Sequence, residues 1–306
     1  DSTAYIQMVS VPEYPNPTVV SNLTCQPWNG TVGGVLVFET PGTLTLNDDI
    51  DVSGRGFRGG QFLGGSFNCG SNAFFATLAS GTEGEKGEGI ADYIAGQRCG
   101  AGKLANGGGG AYAGNTGGGG GANGGTGGLG GNQYSGCNPN TKNGIGGLAL
   151  ARANNHMYLG GGGGGPERDN AQTIFPGGDG GALIYITANN IVGNGNGIIA
   201  NGDSVGTFGD EGGSGGGAGG SIYLVSPIFT GALNVSANGG NGSSNFNNVF
   251  TSQCHGPGGG GGGGLIAFLQ AVTPAGVNTS FTGGEGGLVL NPLSSCYNTK
   301  YGATDG

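Results

Sequence analysis

The sequence predicts an all-β, glycine-rich fold: a β-solenoid or sandwich-like stack of four imperfect strand-pair repeats, with polyglycine-II-like segments beside it. Three observations lead there. Glycine supplies 80 of the 306 residues, about a quarter of the chain against an average of about 7%. Hydrophobic residues still reach 35% while charged residues fall to 9%, which is not the composition of a disordered linker. One phrase also recurs four times: two glycines, a short apolar strand, a second strand, and glycine again.

The elements follow in chain order. Thr3 to Val11 (TAYIQMVSV) mixes β-branched and aromatic residues, as a strand does. Pro12, Pro15 and Pro17 then impose an extended, unpaired path. Residues 1–27 therefore form an N-terminal strand and proline-rich segment, able to pair within the chain or to be donated to a neighbouring subunit. Residues 28–306 form a single glycine-rich β domain.

Within it the first copy of the phrase follows Gly33-Gly34 as VLVFET and PGTLTLNDDIDVSGRG. The others follow Gly180-Gly181, Gly219-Gly220 and Gly263-Gly264. Counted from the residue after the double glycine, the sixth positions are Thr40, Thr187, Ser226 and Gln270. The first strand of each copy is apolar almost throughout, as in Val35-Leu36-Val37-Phe38, which reads as burial on both faces. The second strands alternate, with Ile50 and Val52 on one face and Asp49, Asp51 and Ser53 on the other.

A long glycine-rich insertion, about 59–176, separates the first two copies. Its early part carries an aromatic set, Phe62, Phe67, Phe74, Phe75 and Tyr93, and its later part runs of glycine such as Gly160–Gly165. A helix or sheet made of glycine gains no side-chain packing. A three-residue-per-turn extended helix can instead exchange backbone hydrogen bonds with its neighbours.

Charge and cysteine narrow the function. A net charge of −9 with only nine Lys and Arg disfavours nucleic acid and anionic membranes. No apolar stretch reaches the ~18–20 residues of a membrane helix. No signal peptide is present, so the chain reads as a mature product. Cys25, Cys69, Cys99, Cys137, Cys254 and Cys296 are widely spaced with no CxxC pair. They are disulfide candidates, up to three bridges in an oxidising compartment, with the pairing open.

No catalytic signature stands out. At one glycine in four, G-x-G-x-x-G arises by chance roughly five times in such a chain and says nothing about dinucleotides. The two histidines, His156 and His255, lack a flanking nucleophile motif. Asp48, Asp49, Asp51 and the pair Asp210-Glu211 read as solvated turns rather than as glycosidase carboxylates. Asp49-x-Asp51-x-Ser53-Gly54 opens like an EF-hand loop, but Gly60 stands where the bidentate Glu belongs. No catalytic residue, cofactor or metal is expected. Ser204 and Ser2 fit a D-[S/T]-x O-glycosylation pattern, and Asn22, Asn29, Asn234, Asn241 and Asn278 lie in N-x-[S/T] sequons.

The run from Trp28 to Gly60 (WNGTVGGVLVF, then LTLNDDIDVSGRGFRGG) resembles the glycine-rich domains of large secreted surface proteins of Bacteroidota. So do GEKGEGIA at Gly84, YLGGGGGG at Tyr158, GGGAGGS at Gly215 and CHGPGGGGGGG at Cys254, in that order along most of the chain. Such proteins are type IX secretion substrates and gliding- or adhesion-associated components. The chain ends at Gly306 without their C-terminal sorting module, so a processed piece or a free-standing subunit is expected.

The resemblance implies an extracellular or cell-surface location and no catalytic residues. The expected function is a non-enzymatic structural or adhesive protein, a rigid surface or filament subunit. Its partners would be copies of itself, other surface proteins and surface glycans. The alternative is a carbohydrate-binding or polysaccharide-cleaving β-solenoid. An ice-binding protein would need regular repeats, and the unequal unit lengths argue against it.

Overall fold

The computed structural model describes residues 6–306 apart from 65–68, 70–72, 78–82, 95, 113, 138–142, 151–155, 169–174, 208–210 and 247–251. Among the described residues there is no helix. The strands are β1 (Thr18–Val19), β2 (Val35–Leu46), β3 (Ile50–Asp51), β4 (Leu63–Gly64), β5 (Glu167–Arg168) and β6 (Leu183–Val192). They continue with β7 (Gly197–Ile199), β8 (Ser221–Val225), β9 (Ile228–Thr230), β10 (Leu233–Ser236), β11 (Leu265–Phe268) and β12 (Val277–Ser280).

Among the described residues three parallel sheets result, the smallest a pairing of β4 with β5. A six-stranded sheet runs β1-β2-β6-β8-β11 with β9 beside the far end of β6, and a four-stranded sheet runs β12-β10-β7-β3. The first strands of the four copies lie side by side in one sheet and the second strands in the other. Their register, Val35↔Leu183↔Ser221↔Leu265, displaces the second copy by one residue from the double-glycine frame.

A side-chain ladder repeats the register between the second halves. The Ser53 hydroxyl accepts from Asn201 N–H, Asn201 Oδ1 from Asn238 N–H, and Asn238 Oδ1 from Thr282 N–H, at 3.1, 2.7 and 3.0 Å. One continuous apolar core joins both sheets, with Leu36, Phe38, Leu44, Ile50, Ile184, Ile198, Leu224 and Val235 among its members.

The expected solenoid or sandwich-like stack of strand pairs is not what forms. Solenoid coils repeat with a near-constant period, whereas the ladder partners here are 148, 37 and 44 residues apart. The chain between copies does not lie coil over coil as strands. Among the described residues most of it lies outside any strand, much of it in glycine-rich segments. The molecule is a parallel-sheet fold with a glycine bundle set against the ends of its strands.

Hydrogen bonding in that bundle follows a three-residue period. The N–H groups of Gly160 through Gly165 donate in turn to Gly181, Ala122, Glu88, Gly178, Gly119 and Glu85. Each neighbour is therefore met at every third residue, the repeat of an extended threefold helix. Gly215–Gly220 behaves alike, donating to Gly164, Gly259, Asp203, Gly161, Gly262 and Ala200. At Gly164 no residue but glycine allows this approach: a Cβ there would lie 1.9 Å from the Gly109 carbonyl oxygen. Segments Gly177–Gly181, Gly212–Gly220 and Gly258–Gly264 then run directly into β6, β8 and β11.

Two local expectations change. The first strands are buried on one face only. Leu36, Phe38, Ile184, Ile186, Ile222 and Leu224 point into the core, and Val37, Tyr185 and Tyr223 are half-exposed. Strands packed on one core and apolar on both faces need only a partial outer cover, here supplied in part by Tyr158, whose N–H bonds the Ser221 hydroxyl.

The proline-rich segment is also paired. Tyr14 N–H donates to Glu39 O, Glu39 N–H to Pro12 O, and Thr45 N–H to Pro17 O, all at 3.0 Å. Prolines lack donors but keep carbonyls, which suits them to a sheet edge. Of the expected Thr3–Val11 strand, residues 6–11 lie outside any strand and 3–5 fall outside the described residues.

Candidate ligand cleft

An open cleft of about 370 Å³ is lined by Phe175, Pro176, Gly177, Gly178, Asp179, Asp203, Ser204, Val205 and Gly206. One wall is the glycine segment that leads into β6, and the other is the chain leaving β7. They are held together because Asp203 N–H donates to Asp179 O at 2.8 Å and Gly178 has no side chain: a Cβ there would sit 2.3 Å from Asp203 O. Beyond Asp203, Val205 N–H donates to Asn241 O, which anchors the second wall to the next copy.

Two acidic residues line this space. Asp179 accepts from Gly59 N–H at 2.7 Å, yet burial and then the charge of Asp203 push its carboxyl up to about 6. Asp203 is also raised, first by burial and then by Asp51, while Arg55 opposes the shift. Its carboxylate lies over Gly54, where a Cβ would come within 2.3 Å of either oxygen. Phe175 stands exposed at the rim. An aromatic face beside two hydrogen-bond-accepting carboxylates can stack on and hydrogen-bond a polyhydroxylated ligand, and the volume falls within the ~300–1,000 Å³ range of small-molecule sites.

The residues singled out from sequence are scattered. Ser204 lines the cleft and its hydroxyl accepts from Asn241 N–H, while Ser2 lies outside the described residues. Asp49 and Asp51 serve local backbone, accepting from Gly197 N–H and Ser53 N–H. Asp210 lies outside the described residues, as does Phe67. Glu211 and Glu167 are fully buried, and Glu167 accepts from the Asn115 backbone N–H at 2.6 Å. His255 is buried with its ring 5.6 Å from that of Tyr134, and His156 is exposed beside Tyr158. These groups are not brought together in the cleft.

The six cysteines form two bridges: Cys69–Cys137 and Cys254–Cys296, with Cα separations of 5.3 and 5.8 Å. Cys25 and Cys99 are free thiols, so the third bridge allowed by an even count is not made. Cys25 lies beside Arg55, whose guanidinium donates to its carbonyl oxygen, and Cys99 is buried among Glu85, Glu83 and Lys86 with its thiol pushed up to about 12.

Two features were not read from the sequence. Asp179 sits in a P-G-G-D-G-G string that looks like spacer, and its partner Asp203 was noticed only as part of a glycosylation pattern. Lys86 stands in the G-E-K-G-E-G string of the long insertion. It is fully buried, its ammonium donating to the carbonyls of Phe74, Gly100 and Gly102 at 2.5, 2.8 and 2.5 Å and lying 4.6 Å from the Phe75 ring centre.

Among the described residues no helix is long and apolar enough to cross a membrane. Comparison with family models, with curated proteins and with solved structures finds no match.

Proposed function

We propose that the chain is a non-enzymatic extracellular structural or adhesive protein, a rigid surface or filament subunit. The observation that carries this reading is the glycine bundle. Its backbone N–H groups are spent on neighbouring segments in a three-residue rhythm, and its close approaches leave no room for the side chains a catalytic centre needs. Two disulfides fit an oxidising compartment, and the resemblance to glycine-rich surface proteins of Bacteroidota supports reading that compartment as the cell surface. The test is prolonged exposure to a broad-specificity protease together with a turnover screen against polysaccharides. Intact chain and no turnover are expected. Rapid internal cleavage of native protein, or turnover abolished by changing an acidic pair, would defeat the reading.

The cleft favours a second reading, that the surface binds carbohydrate. Here Phe175 would stack on a sugar ring and Asp179 and Asp203 would accept from its hydroxyls. Glycan-array binding that disappears in Phe175→Ala while the melting temperature holds would support it. An empty array would remove it.

A further inference from the structure

We propose that copies of the chain assemble head to tail through two complementary ends of the larger sheet. This rests on the reading of the chain as a building block and names the surfaces that would join.

The first end is β11. It is the last strand of the six-stranded sheet, with no neighbour on its outer side among the described residues. All four of its residues are half-exposed, and Leu269 and Val272, at 51% and 72%, project just beyond it. Natural edge strands are normally guarded by charge, a bulge or a cover. From Leu265 to Gly276 the sequence LIAFLQAVTPAG contains no charged residue at all.

The second end is the opposite margin of the same sheet. Residues 6–11 (IQMVSV) are also uncharged, and Ile6 and Met8 are 89% and 94% exposed. Immediately after them lies an apolar groove of about 270 Å³, walled by Tyr14, Pro17, Val20, Leu23, Phe38 and Leu44.

A second copy fits this pair of surfaces for three reasons. Every strand pairing in the sheet is parallel, so translating one copy along the sheet brings β11 against the N-terminal margin of the next without reversing direction. Glu13 is the parallel partner of Glu39, and Val35 stands in register with Leu265 through the intervening strands. Continuing that register sets residues 9–12 of one copy against β11 of the other, and Leu269 and Val272 against the groove that follows. The β11 segment carries no charge and the facing segment only Glu13, in a molecule of net charge −9, so the repulsion between copies is small where they meet. A knob at one end and a pocket at the other make a heterologous contact, which propagates as a filament unless its rotation closes a ring.

Sedimentation velocity over a wide dilution series tests this with two full-length variants altered only at exposed side chains. Leu269→Lys with Val272→Lys spoils the knob, and Val20→Lys spoils the groove. The native chain is expected to lengthen with concentration and each variant to lose all oligomers, with unchanged melting. An equimolar mixture of the two variants is expected to restore a dimer and nothing longer, because each retains one competent end. Oligomers of native size in either variant would overturn the assignment of the ends while leaving self-association standing. A native chain that stays monomeric at every concentration would overturn the proposal outright. Protease resistance and absence of turnover, measured on the same samples, decide the structural reading independently.

Discussion

Alanine substitution in the glycine bundle separates a packed element from a spacer. Consider Gly261→Ala. The added Cβ would lie 2.0 Å from the Gly217 carbonyl oxygen and 2.5 Å from its carbon. Even the close Cα–H···O contacts of proteins hold carbon and oxygen at about 3.3–3.6 Å. The two backbones must therefore part by more than about 1 Å.

Gly261 N–H donates to Gly240 O at 2.8 Å, and the flanking Gly260 and Gly262 donate to Thr304 O and Gly121 O at 3.0 and 2.9 Å. A shift of that size carries two or three of these bonds past the ~3.2 Å limit of a good N–H···O contact. Each buried group left unpaired costs about 1–3 kcal/mol. The sum, about 2–9 kcal/mol, is comparable with the ~5–15 kcal/mol stability of a whole domain. Gly206→Ala is the control. Its Cβ would meet only Phe175 Cε2, at 3.9 Å, so it should leave stability unchanged or raise it by about 0.4–1 kcal/mol through the unfolded chain. Urea unfolding followed by fluorescence measures both. If the two variants unfold at the same midpoint, the argument from close approach is wrong.

Asp179→Asn keeps an oxygen for Gly59 N–H and removes a charge. The folded-state carboxyl is raised from 3.8 to about 6, so the folded chain holds a proton there that the unfolded chain has released. The native protein therefore gains stability from this group as pH falls from above 6 toward 3.8. In an open cleft the effect is about 1–2 kcal/mol. The variant should melt higher than native at pH 7 and lose that part of the pH dependence, and equal melting of the two at pH 7 would contradict the assignment.

Lys86→Met leaves the Gly100 and Gly102 carbonyls without their donor, while Phe74 O keeps the Gly102 N–H, and should destabilise by about 2–4 kcal/mol despite relieving a buried charge. Amide exchange around Gly100–Gly102 is expected to accelerate first, and unchanged protection there would refute it. Cys254→Ser opens a bridge between residues 42 apart, worth about 4 kcal/mol by loop entropy. A calorimetric shift of under a degree would show that the bridge contributes nothing.

Composition and phrase repetition were enough to find four related strand pairs, because an apolar run after a double glycine survives as a local pattern. They led to the wrong architecture because they carry no information on what the intervening chain does. The P-G-G-D-G-G string and the A-N-G-D-S string are 24 residues apart between Asp179 and Asp203, and nothing local says that glycine backbones will bring these carboxylates to one cleft. The free state of Cys25 and Cys99 was equally illegible, since six cysteines permit three bridges and only distances in the fold choose two. Lysine is seldom buried, and nothing local marks Lys86 as an exception. Its burial follows from three carbonyls contributed by residues 12 to 16 positions away.

By itself the sequence determined that glycine backbone here must be ordered and buried, and that apolar strands must share a core. A chain with 80 glycines and 35% hydrophobic residues has no other way to satisfy its peptide groups and hide its apolar surface. Tertiary structure alone decided which segment meets which. Glycine has no side chain with which to specify a neighbour, so the partners of Gly160–Gly165 and Gly258–Gly264 follow from the strands that anchor each run and from the parallel register those strands adopt.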